Sequence, residues 1–434
     1  MTLGRARVVA LAVPAAVYFF SYFHRVAPAV VAADLMRAFA ISAATLGSLV
    51  AIYPYVFAAM ALVAGSLADT LGPRWTLALG GATMGLGAAL FGVAPTFAVA
   101  FAGRLLVGLG ASVVLIAWLS LAAEWFRPRE FGTVSGFTQA VGNIGALVAS
   151  SPLALVVEAV GWRQTFVMIG GATLLLAGVA AAFVRDRPEA LGLPPVNPER
   201  AARPTPSVRE TVAAIPGVAR NARTWPPIVA AGGVYMGLIT FMGLWGIPYL
   251  VQIHGLSRVE AANVVALAPA GLCLGSPLVG WLSDRWLGRR QLPLAVCTLL
   301  FTACWGPLLL PHDLRLPVTG LAPFVFVMGL AASAVALVWP CVREVNNPAQ
   351  VGVAVGFVNA PIFLAFAVMQ WLSGVILDAH WTGLMSAGVR LYPAAGYRAL
   401  FLLCFVISAA ATIASWFVTE TRCRNVWRAA SASR

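Results

Sequence analysis

The sequence contains no lysine, so all 28 of its basic residues are arginine. Charged residues make up only 10% of the 434 residues, whereas soluble globular chains carry about 25%. Hydrophobic residues account for 61% of the chain, and the mean hydropathy is +0.88. Apolar runs long enough to cross a bilayer as helices recur along its length, without the alternation that β-barrel strands require. The composition therefore predicts an all-α polytopic membrane protein.

Signals for enzymes, metal sites and nucleic-acid binding are also missing. The six cysteines show neither metal-ligand nor disulfide spacing, so we predict no metal site and no cofactor. The chain contains no phosphate-binding P-loop and no usable Ser/His/Asp arrangement, which argues against ATP-driven transport and against an enzyme. The arginines are scattered near the ends of apolar runs and form no single patch, which argues against a nucleic-acid partner.

Twelve apolar runs separated by charged or Pro/Gly-marked breaks predict twelve transmembrane helices. We expect the first run to be a mature helix and not a cleaved signal peptide. The first six runs cover residues 8–32, 43–68, 75–94, 98–122, 132–157 and 164–184. The second six cover residues 225–250, 259–282, 291–310, 318–342, 352–377 and 397–419.

The polar, proline-rich segment between the two sets divides the predicted chain. We expect an N-terminal six-helix bundle at 1–184, a cytoplasmic linker at 185–224, and a C-terminal six-helix bundle with a short cytoplasmic tail at 225–434. With the N-terminus in the cytoplasm, 20 arginines fall on the cytoplasmic side and 6 on the other. The positive-inside rule therefore predicts that both termini are cytoplasmic.

Matched segments in the two sets indicate an internal duplication. "GSLADTLGPR" (65–74) follows the second predicted helix, and "GWLSDRWLGRR" (280–290) follows the eighth. "FGTVSGF" (131–137) opens the fifth helix, and "VGVAVGF" (351–357) opens the eleventh. Two related six-helix units are typical of secondary transporters, whose substrate site lies at the repeat interface.

These segments resemble the major facilitator superfamily over nearly the whole chain. The G-x-L-x-D-x-x-G-x-R loop is the specific motif, and "GRLLVGLG" (103–110) resembles the motif of the fourth helix. The resemblance implies two pseudo-symmetric bundles that rock about a cavity lined by the first, fourth, seventh and tenth helices. It also implies a gating role for the loop residues Asp69, Arg74, Asp284 and Arg289. A purely structural role for them is the alternative.

Two arginines lie inside predicted helices at similar depth. Arg25 is seven residues from the outer end of the first helix, and Arg104 is six residues into the fourth, which places both roughly 10 Å below the outer boundary. All 15 acidic residues map to loops or helix ends. Buried charges in membranes need a partner, so we expect the substrate to supply the anion. A structural role remains the alternative, above all for Arg104, whose motif is common to the superfamily.

Further polar residues complete the predicted substrate site. Tyr18, Ser21 and Tyr22 lie on the helix face of Arg25 because they precede it by seven, four and three residues. His24 is the histidine within a predicted helix and could carry a coupling proton, or stay neutral as a hydrogen-bonding group. Polar residues of other helices are weaker candidates, because many such residues only form hydrogen bonds between helices. These candidates are Gln139, Asn143, Tyr235 and Asn359.

The segment "YFHRVAP" (22–28) is similar to anion:cation symporters and to organophosphate:phosphate antiporters, and its surroundings are closer to phagosomal-transporter-like members linked to amino-acid uptake. Anion:cation symporters carry acids where this chain has His24 and Ala111, which puts carboxylate-based proton coupling in doubt. Protons are a candidate coupling ion through His24 or the substrate itself, and anion exchange is another mode.

We therefore predict a monomeric secondary transporter of the inner membrane that moves a small organic anion or zwitterion, a carboxylate or an amino acid, by alternating access. Its partners would be that substrate and the lipid bilayer. One alternative is a proton-driven exporter of drugs or metabolites, although such exporters commonly carry a buried carboxylate. The other is a non-transporting sensor of the same fold.

Overall fold

A computed structural model describes residues 3–60, 64–127, 130–196, 208–310, 316–347 and 351–427. It contains twelve apolar helical segments long enough to cross a membrane, which we number as spans 1 to 12 in chain order. The predicted all-α, twelve-helix fold is confirmed. The spans are Leu3–Val26, Ala43–Met60, Pro73–Val93, Phe97–Trp125, Ala140–Val160, Trp162–Phe183, Ala222–His254, Arg258–Leu287, Gln291–Leu309, Val318–Val345, Gly356–Ala379 and Ala394–Trp416.

Several spans consist of more than one helix. The α-helices α1 to α20 are Leu3–Val26, Pro28–Phe39, Ala43–Met60, Ala64–Leu71, Pro73–Val93, Phe97–Trp125, Phe131–Val148, Ser151–Val160, Trp162–Phe183, Val208–Arg220, Trp225–Thr240, Gly246–His254, Arg258–Val265, Leu267–Trp281, Gln291–Ala303, Gly306–Leu309, Val318–Ala331, Val338–Val345, Val351–Ala379 and Ala394–Trp416. Turns of 3₁₀ or π-helix at Pro188–Leu191, Ala222–Thr224, Phe241–Trp245, Leu282–Leu287 and Ala332–Leu337 join some of them. The two short strands, Met385–Ser386 and Val389–Arg390, form an antiparallel hairpin.

The contacts divide the chain into two compact units. Unit 1 comprises Met1–Ala27 and Ile52–Val208, and unit 2 comprises Pro28–Ala51 and Arg209–Arg434. Residues 28–51, which precede the linker in sequence, therefore belong to unit 2 by their contacts. The predicted domain boundaries at 184 and 225 stay a prediction.

The first predicted helix is divided at Pro28. The chain forms α1 up to Val26, turns at Ala27 and continues as α2 to Phe39. Proline lacks a backbone N–H, so Pro28 cannot donate the helical hydrogen bond that the carbonyl of His24 would accept from it. The division of the helix leaves this carbonyl available inside unit 1.

Glycine allows spans 3 and 4 to pack with their backbones close together. A Cβ on Gly110 would lie 2.2 Å from the carbonyl oxygen of Gly80, and one on Gly103 would lie 2.8 Å from that of Gly87. Small residues permit such close packing in membranes, where van der Waals contact and interhelical hydrogen bonds hold helices together. Span 4 begins after Thr96, whose side chain accepts a hydrogen bond from the N–H of Val99. These contacts fix the position of the helix that carries Arg104.

Candidate functional site

Arg25 lies in unit 1, enclosed by aromatic rings. Its side chain is buried, with only 7% of the residue exposed. The guanidinium carbon lies 4.2 Å from the ring centroid of Tyr22, 5.4 Å from that of Phe57 and 5.9 Å from that of Tyr53. Cation–π attraction stabilises a charge in such surroundings and is stronger where the cation is desolvated.

Arg104 is the second buried arginine, with 2% of the residue exposed. Its Nη1 donates a hydrogen bond of 3.0 Å to the carbonyl oxygen of His24, the group that Pro28 cannot satisfy. Its Nε and Nη2 are buried and have no hydrogen-bond partner among the residues that the structure describes. The Nη1 group of Arg104 thus stabilises the break in the first helix. The N–H groups at Nε and Nη2 are not used by the described residues.

Tyr53 connects the two arginines and was not predicted. It lies in span 2, and its ring centroid is 5.5 Å from the guanidinium carbon of Arg104 and 5.9 Å from that of Arg25. Its hydroxyl donates to the carbonyl oxygen of Ser21 at 2.8 Å. The segment "YPYVF" (53–57) places Tyr53 and Phe57 one helical turn apart, which is the signal that sequence analysis could have used.

The predicted residues on the face of span 1 do lie together. The rings of Tyr18 and Tyr22 are 5.3 Å apart, and Tyr18 also contacts Trp118 of span 4 at 5.4 Å. The Ser21 hydroxyl lies 3.4 Å from the carbonyl oxygen of Ala111. Of these residues, Tyr22 is the one whose ring contacts Arg25.

His24 packs in a different direction from Arg25. Its residue is fully buried, and its ring contacts Phe23 at 5.8 Å and Phe166 of span 6 at 6.2 Å. Neither ring nitrogen has a hydrogen-bond partner in the described part of the chain. The ring therefore lies among aromatic groups of unit 1, apart from the Arg25–Tyr22 contact.

The remaining predicted contacts are distributed over both units. Asn143 is buried in the helix Phe131–Val148 of unit 1, next to Gly142, where a Cβ would lie 3.0 Å from the Tyr22 ring. The side chain of Gln139 lies outside the described residues. Tyr235 and Asn359 are half-buried residues of unit 2, and the Tyr235 ring contacts Phe366 at 5.8 Å.

The first loop motif joins helix ends within unit 1. Nε of Arg74 donates to the carbonyl oxygen of Ala181 at 2.9 Å, and its backbone N–H donates to Asp186 at 2.6 Å. Asp186 thereby neutralises the N-terminus of the helix that starts at Pro73. The side chain of Asp69, the other predicted gating residue of this loop, lies outside the described residues.

In the second motif, Arg290 makes the ion pairs, while Arg289 is exposed. Arg290 is buried, bonds Asp284, and donates from Nη2 to Glu344 at 2.8 Å. Burial acts to lower the pKa of Arg290, but the hydrogen bonds that Arg290 donates to Glu344 and Asp284 outweigh burial and raise that pKa above its ordinary value. The backbone N–H of Arg290 also donates to Glu420 at 3.1 Å. Through Arg290, these contacts connect the loop that contains Asp284 with Glu344 of span 10 and with Glu420 of the C-terminal tail.

Metal ligands do not cluster in the described ranges: no group of three or more His, Cys, Asp or Glu side chains there could hold a metal ion. The groups that surround Arg25 and Arg104 in unit 1 are phenol rings, a phenylalanine ring and the backbone of His24.

Comparison with known proteins agrees with this architecture. A model of the Major Facilitator Superfamily matches residues 15–342 and again 229–430. The chain is 26% identical to the "Probable sulfoacetate transporter SauU" of Cupriavidus necator over 70% of this chain and 71% of that protein. It is 25% identical to the "Membrane sensor protein UhpC" of Salmonella typhimurium over 90% of this chain and 89% of that protein.

Solved structures show the same fold. A bacterial homologue of the human lysosomal transporter Spinster, crystallised in an inward-facing and unoccupied conformation, superimposes with a TM-score of 0.75 at 16% identity, covering 96% of this chain and 97% of that one. The family model spans both sets of six helices. The chain is a multi-pass membrane protein that belongs to the Major Facilitator Superfamily.

Proposed function

We propose that the chain is a secondary active transporter that moves a small organic anion or zwitterion, a carboxylate or an amino acid, by alternating access. The observation that carries the proposal is the pair of buried arginines, Arg25 and Arg104, beside the same tyrosine ring. Ionisable groups at membrane depth are costly and mark functional sites by default. A transported anion would compensate both charges for as long as it is bound.

The charge distribution of the described spans supports an anionic substrate. Their acidic residues lie near span ends, where Glu344, for example, forms an ion pair with Arg290. The similarity to a sulfoacetate transporter supports a small organic acid as the first class to test. Tyr18, Ser21, Tyr22 and Asn143 would contact the polar part of the substrate, together with Gln139, Tyr235 and Asn359.

We further propose an inner-membrane location with both termini in the cytoplasm, because arginines are concentrated on one side of the spans. Asp69, Arg74, Asp284 and Arg289 would act at the cytoplasmic gate, with Arg290 joining them through Asp284. Symport with a proton is the coupling to test first, since His24 is a titratable residue of span 1.

A thermal-shift panel on the purified protein tests the anion site. The panel contains sulfoacetate, acetate, glucose 6-phosphate, glycine, a dipeptide and a cationic dye. A ligand that binds the folded state raises Tm as its concentration passes Kd. We expect at least one anion or zwitterion to stabilise the wild type, and Arg25→Ala to weaken its binding by roughly 10- to 100-fold, since hydrogen bonds to charged groups contribute about 1.5–3 kcal/mol. Stabilisation by the cationic dye alone, equal in both proteins, would reject the proposal.

A sensor without transport activity is the second candidate function, because the chain resembles a membrane sensor over nine-tenths of its length. An uptake assay distinguishes a transporter from a sensor. Proteoliposomes are loaded with buffer and given the radiolabelled form of the anion found in the panel. Uptake that requires Arg25 supports transport. The sensor is supported if the anion binds in the thermal-shift assay but is taken up neither under a pH gradient nor during exchange against internal anion.

A further inference from the structure

We infer that Tyr53 is a positioning residue of the anion site: its ring holds Arg25 and Arg104 at a fixed spacing, so that both charges act on one acid group or one short organic acid. The inference rests on the proposed anion site and adds a residue from span 2 to it. It is argued from two cation–π contacts, from the hydrogen bond of the Tyr53 hydroxyl, and from the two atoms of Arg104 that have no hydrogen-bond partner among the described residues.

Tyr53 is itself rigidly held. Only 1% of the residue is exposed. Its ring stacks on Phe57 with centroids 4.7 Å apart and planes 29° from parallel. Its hydroxyl donates to the carbonyl oxygen of Ser21, a residue of span 1 that lies one helical turn before Arg25. A ring fixed at both its face and its hydroxyl end presents a constant surface to the two guanidinium groups.

An aromatic ring stabilises buried arginines in a way that a carboxylate could not. An aspartate at this position would bind the N–H groups of one guanidinium directly and compete with the substrate for them. The ring attracts a cation through its quadrupole and places no anion against the N–H groups. Tyr53 can therefore lower the energy of both charges without placing an anion of its own against the N–H groups of either guanidinium.

The unpaired donors of Arg104 indicate the type of group that is recognised. Nη1 is held by the carbonyl of His24 at 3.0 Å, which fixes the rotation of the guanidinium. The two atoms without a hydrogen-bond partner in the described residues are Nε and Nη2. Their N–H groups lie along one edge of the guanidinium plane, the arrangement that binds two oxygens of one carboxylate or a similar acid group side by side.

The ring and the hydroxyl can be separated by mutation. Tyr53→Phe keeps both cation–π contacts and removes the hydrogen bond to Ser21. Tyr53→Leu removes the ring and keeps an apolar side chain, and Tyr53→Met is a second variant of similar volume in case the leucine variant does not fold. Tyr55→Leu is the matched control, because it makes the same substitution at an exposed tyrosine of the same helix.

The experiment measures Kd by isothermal titration on full-length purified variants, using the anion of the panel that raises the Tm of the wild type most. We expect Tyr53→Leu or Tyr53→Met to raise Kd by about tenfold or more, because cation–π contacts to two arginines are lost. Tyr53→Phe should remain within about threefold of the wild type. The Tm without ligand is recorded for each variant, so that loss of affinity is compared between proteins that are folded.

Three outcomes overturn the inference. If Arg25→Ala abolishes binding but Tyr53→Leu leaves Kd unchanged, the anion site stands and Tyr53 has no positioning role. If Tyr55→Leu raises Kd as much as Tyr53→Leu does, the effect reflects a general change in the helix and not the Tyr53 ring. If no anion or zwitterion in the panel binds the wild type, the proposed function fails and the role of Tyr53 fails with it.

Discussion

The carboxylate of Asp378, at the end of span 11, accepts hydrogen bonds from the first backbone N–H groups of span 2, at Ala43 and Ala44. The distances are 3.1 Å to the nitrogen of Ala43 and 2.7 Å to that of Ala44. The hydroxyl of Tyr392 also donates to Asp378, at 2.8 Å. A carboxylate at a helix N-terminus satisfies unpaired N–H groups and interacts favourably with the helix dipole. Asp378 therefore caps a helix that lies more than three hundred residues away in sequence.

Asp378→Asn should loosen the beginning of span 2. The variant removes the charge and retains the size, so the N–H groups of Ala43 and Ala44 keep at best a neutral acceptor. We expect their hydrogen exchange to accelerate roughly tenfold, since a charge-assisted bond with a helix N-terminus contributes about 1–2 kcal/mol. Hydrogen–deuterium exchange mass spectrometry on peptides that cover residues 40–50 measures this.

Glu158→Gln is the matched control for that experiment. Glu158 is an exposed carboxylate near the end of span 5. Its neutralisation should leave exchange at residues 40–50 unchanged. Equal exchange in Asp378→Asn and wild type would contradict the capping role.

Glycine brings the same two helices into backbone contact. A Cβ on Gly47 would lie 2.4 Å from the carbonyl oxygen of Gln370, and one on Gly374 would lie 2.2 Å from that of Ala43. We expect Gly374→Ala to lower Tm, because the backbones must separate and overpacking costs about 1–3 kcal/mol. Gly171→Ala in span 6, where a Cβ would meet nothing within 4 Å, should leave Tm unchanged or raise it slightly. A Gly374→Ala variant as stable as wild type would exclude the tight crossing.

The sequence predicted the spans and the buried arginines because both signals are local. An apolar run of sufficient length has to form a helix in lipid, and an arginine such as Arg25 within it is visible by its charge. Tyr53 and Asp378 were not predicted. Their partners lie on other helices, and the contacts depend on how each helix is rotated and where it crosses its neighbour, which hydropathy does not encode. Two of the partners of Asp378 are moreover backbone N–H groups, which no side-chain pattern reveals.

In the second loop motif, the sequence likewise did not reveal which of two neighbouring arginines makes the ion pairs. By resemblance to the family pattern, Arg289 is the expected gating arginine, and this role stays a prediction. The arginine that pairs with Asp284 and Glu344 is its neighbour Arg290. The side chain of Arg290 is 5% exposed and that of Glu344 is 3% exposed. Motif spacing alone could not distinguish two consecutive arginines at a helix end.

Glu344→Ala should therefore destabilise the protein strongly, because it leaves the buried Arg290 without its main partner. Removing one member of a buried ion pair costs about 3–5 kcal/mol. Arg289→Ala, at an exposed position, should stay within about 0.5 kcal/mol of wild type. Thermal unfolding in detergent monitored by intrinsic tryptophan fluorescence compares them. If Arg289→Ala lowered Tm more than Glu344→Ala does, the conclusion that Arg290 and not Arg289 makes the stabilising ion pair would be wrong.

Acidification should weaken one specific contact of unit 1. The backbone N–H of Arg127 donates to Glu130 at 2.8 Å, and Arg7 bonds the same carboxylate. The hydrogen bond from Arg127, assisted by Arg7, lowers the pKa of Glu130 below its ordinary value of 4.5. A lowered pKa in the folded state means that the stabilisation is present above pH 4.5 and is lost as the pH falls through the folded pKa. Wild type should thus melt above Glu130→Gln at pH 7, and the two Tm values should converge as the pH falls below 4.5 and through the folded pKa of Glu130. A constant difference would exclude Glu130 as the cause.

Pro28 and Arg104 should be energetically coupled, because the arginine satisfies a carbonyl that the proline leaves without a donor. In Pro28→Ala the new N–H can donate to the carbonyl of His24, as in an uninterrupted helix. Arg104→Met should then lower Tm less in the Pro28→Ala background than in the wild type. A double-mutant cycle measures the difference, and we expect a coupling of about 1 kcal/mol, the usual contribution of one buried hydrogen bond. Additive effects would mean that the hydrogen bond from Arg104 to His24 contributes little to stability.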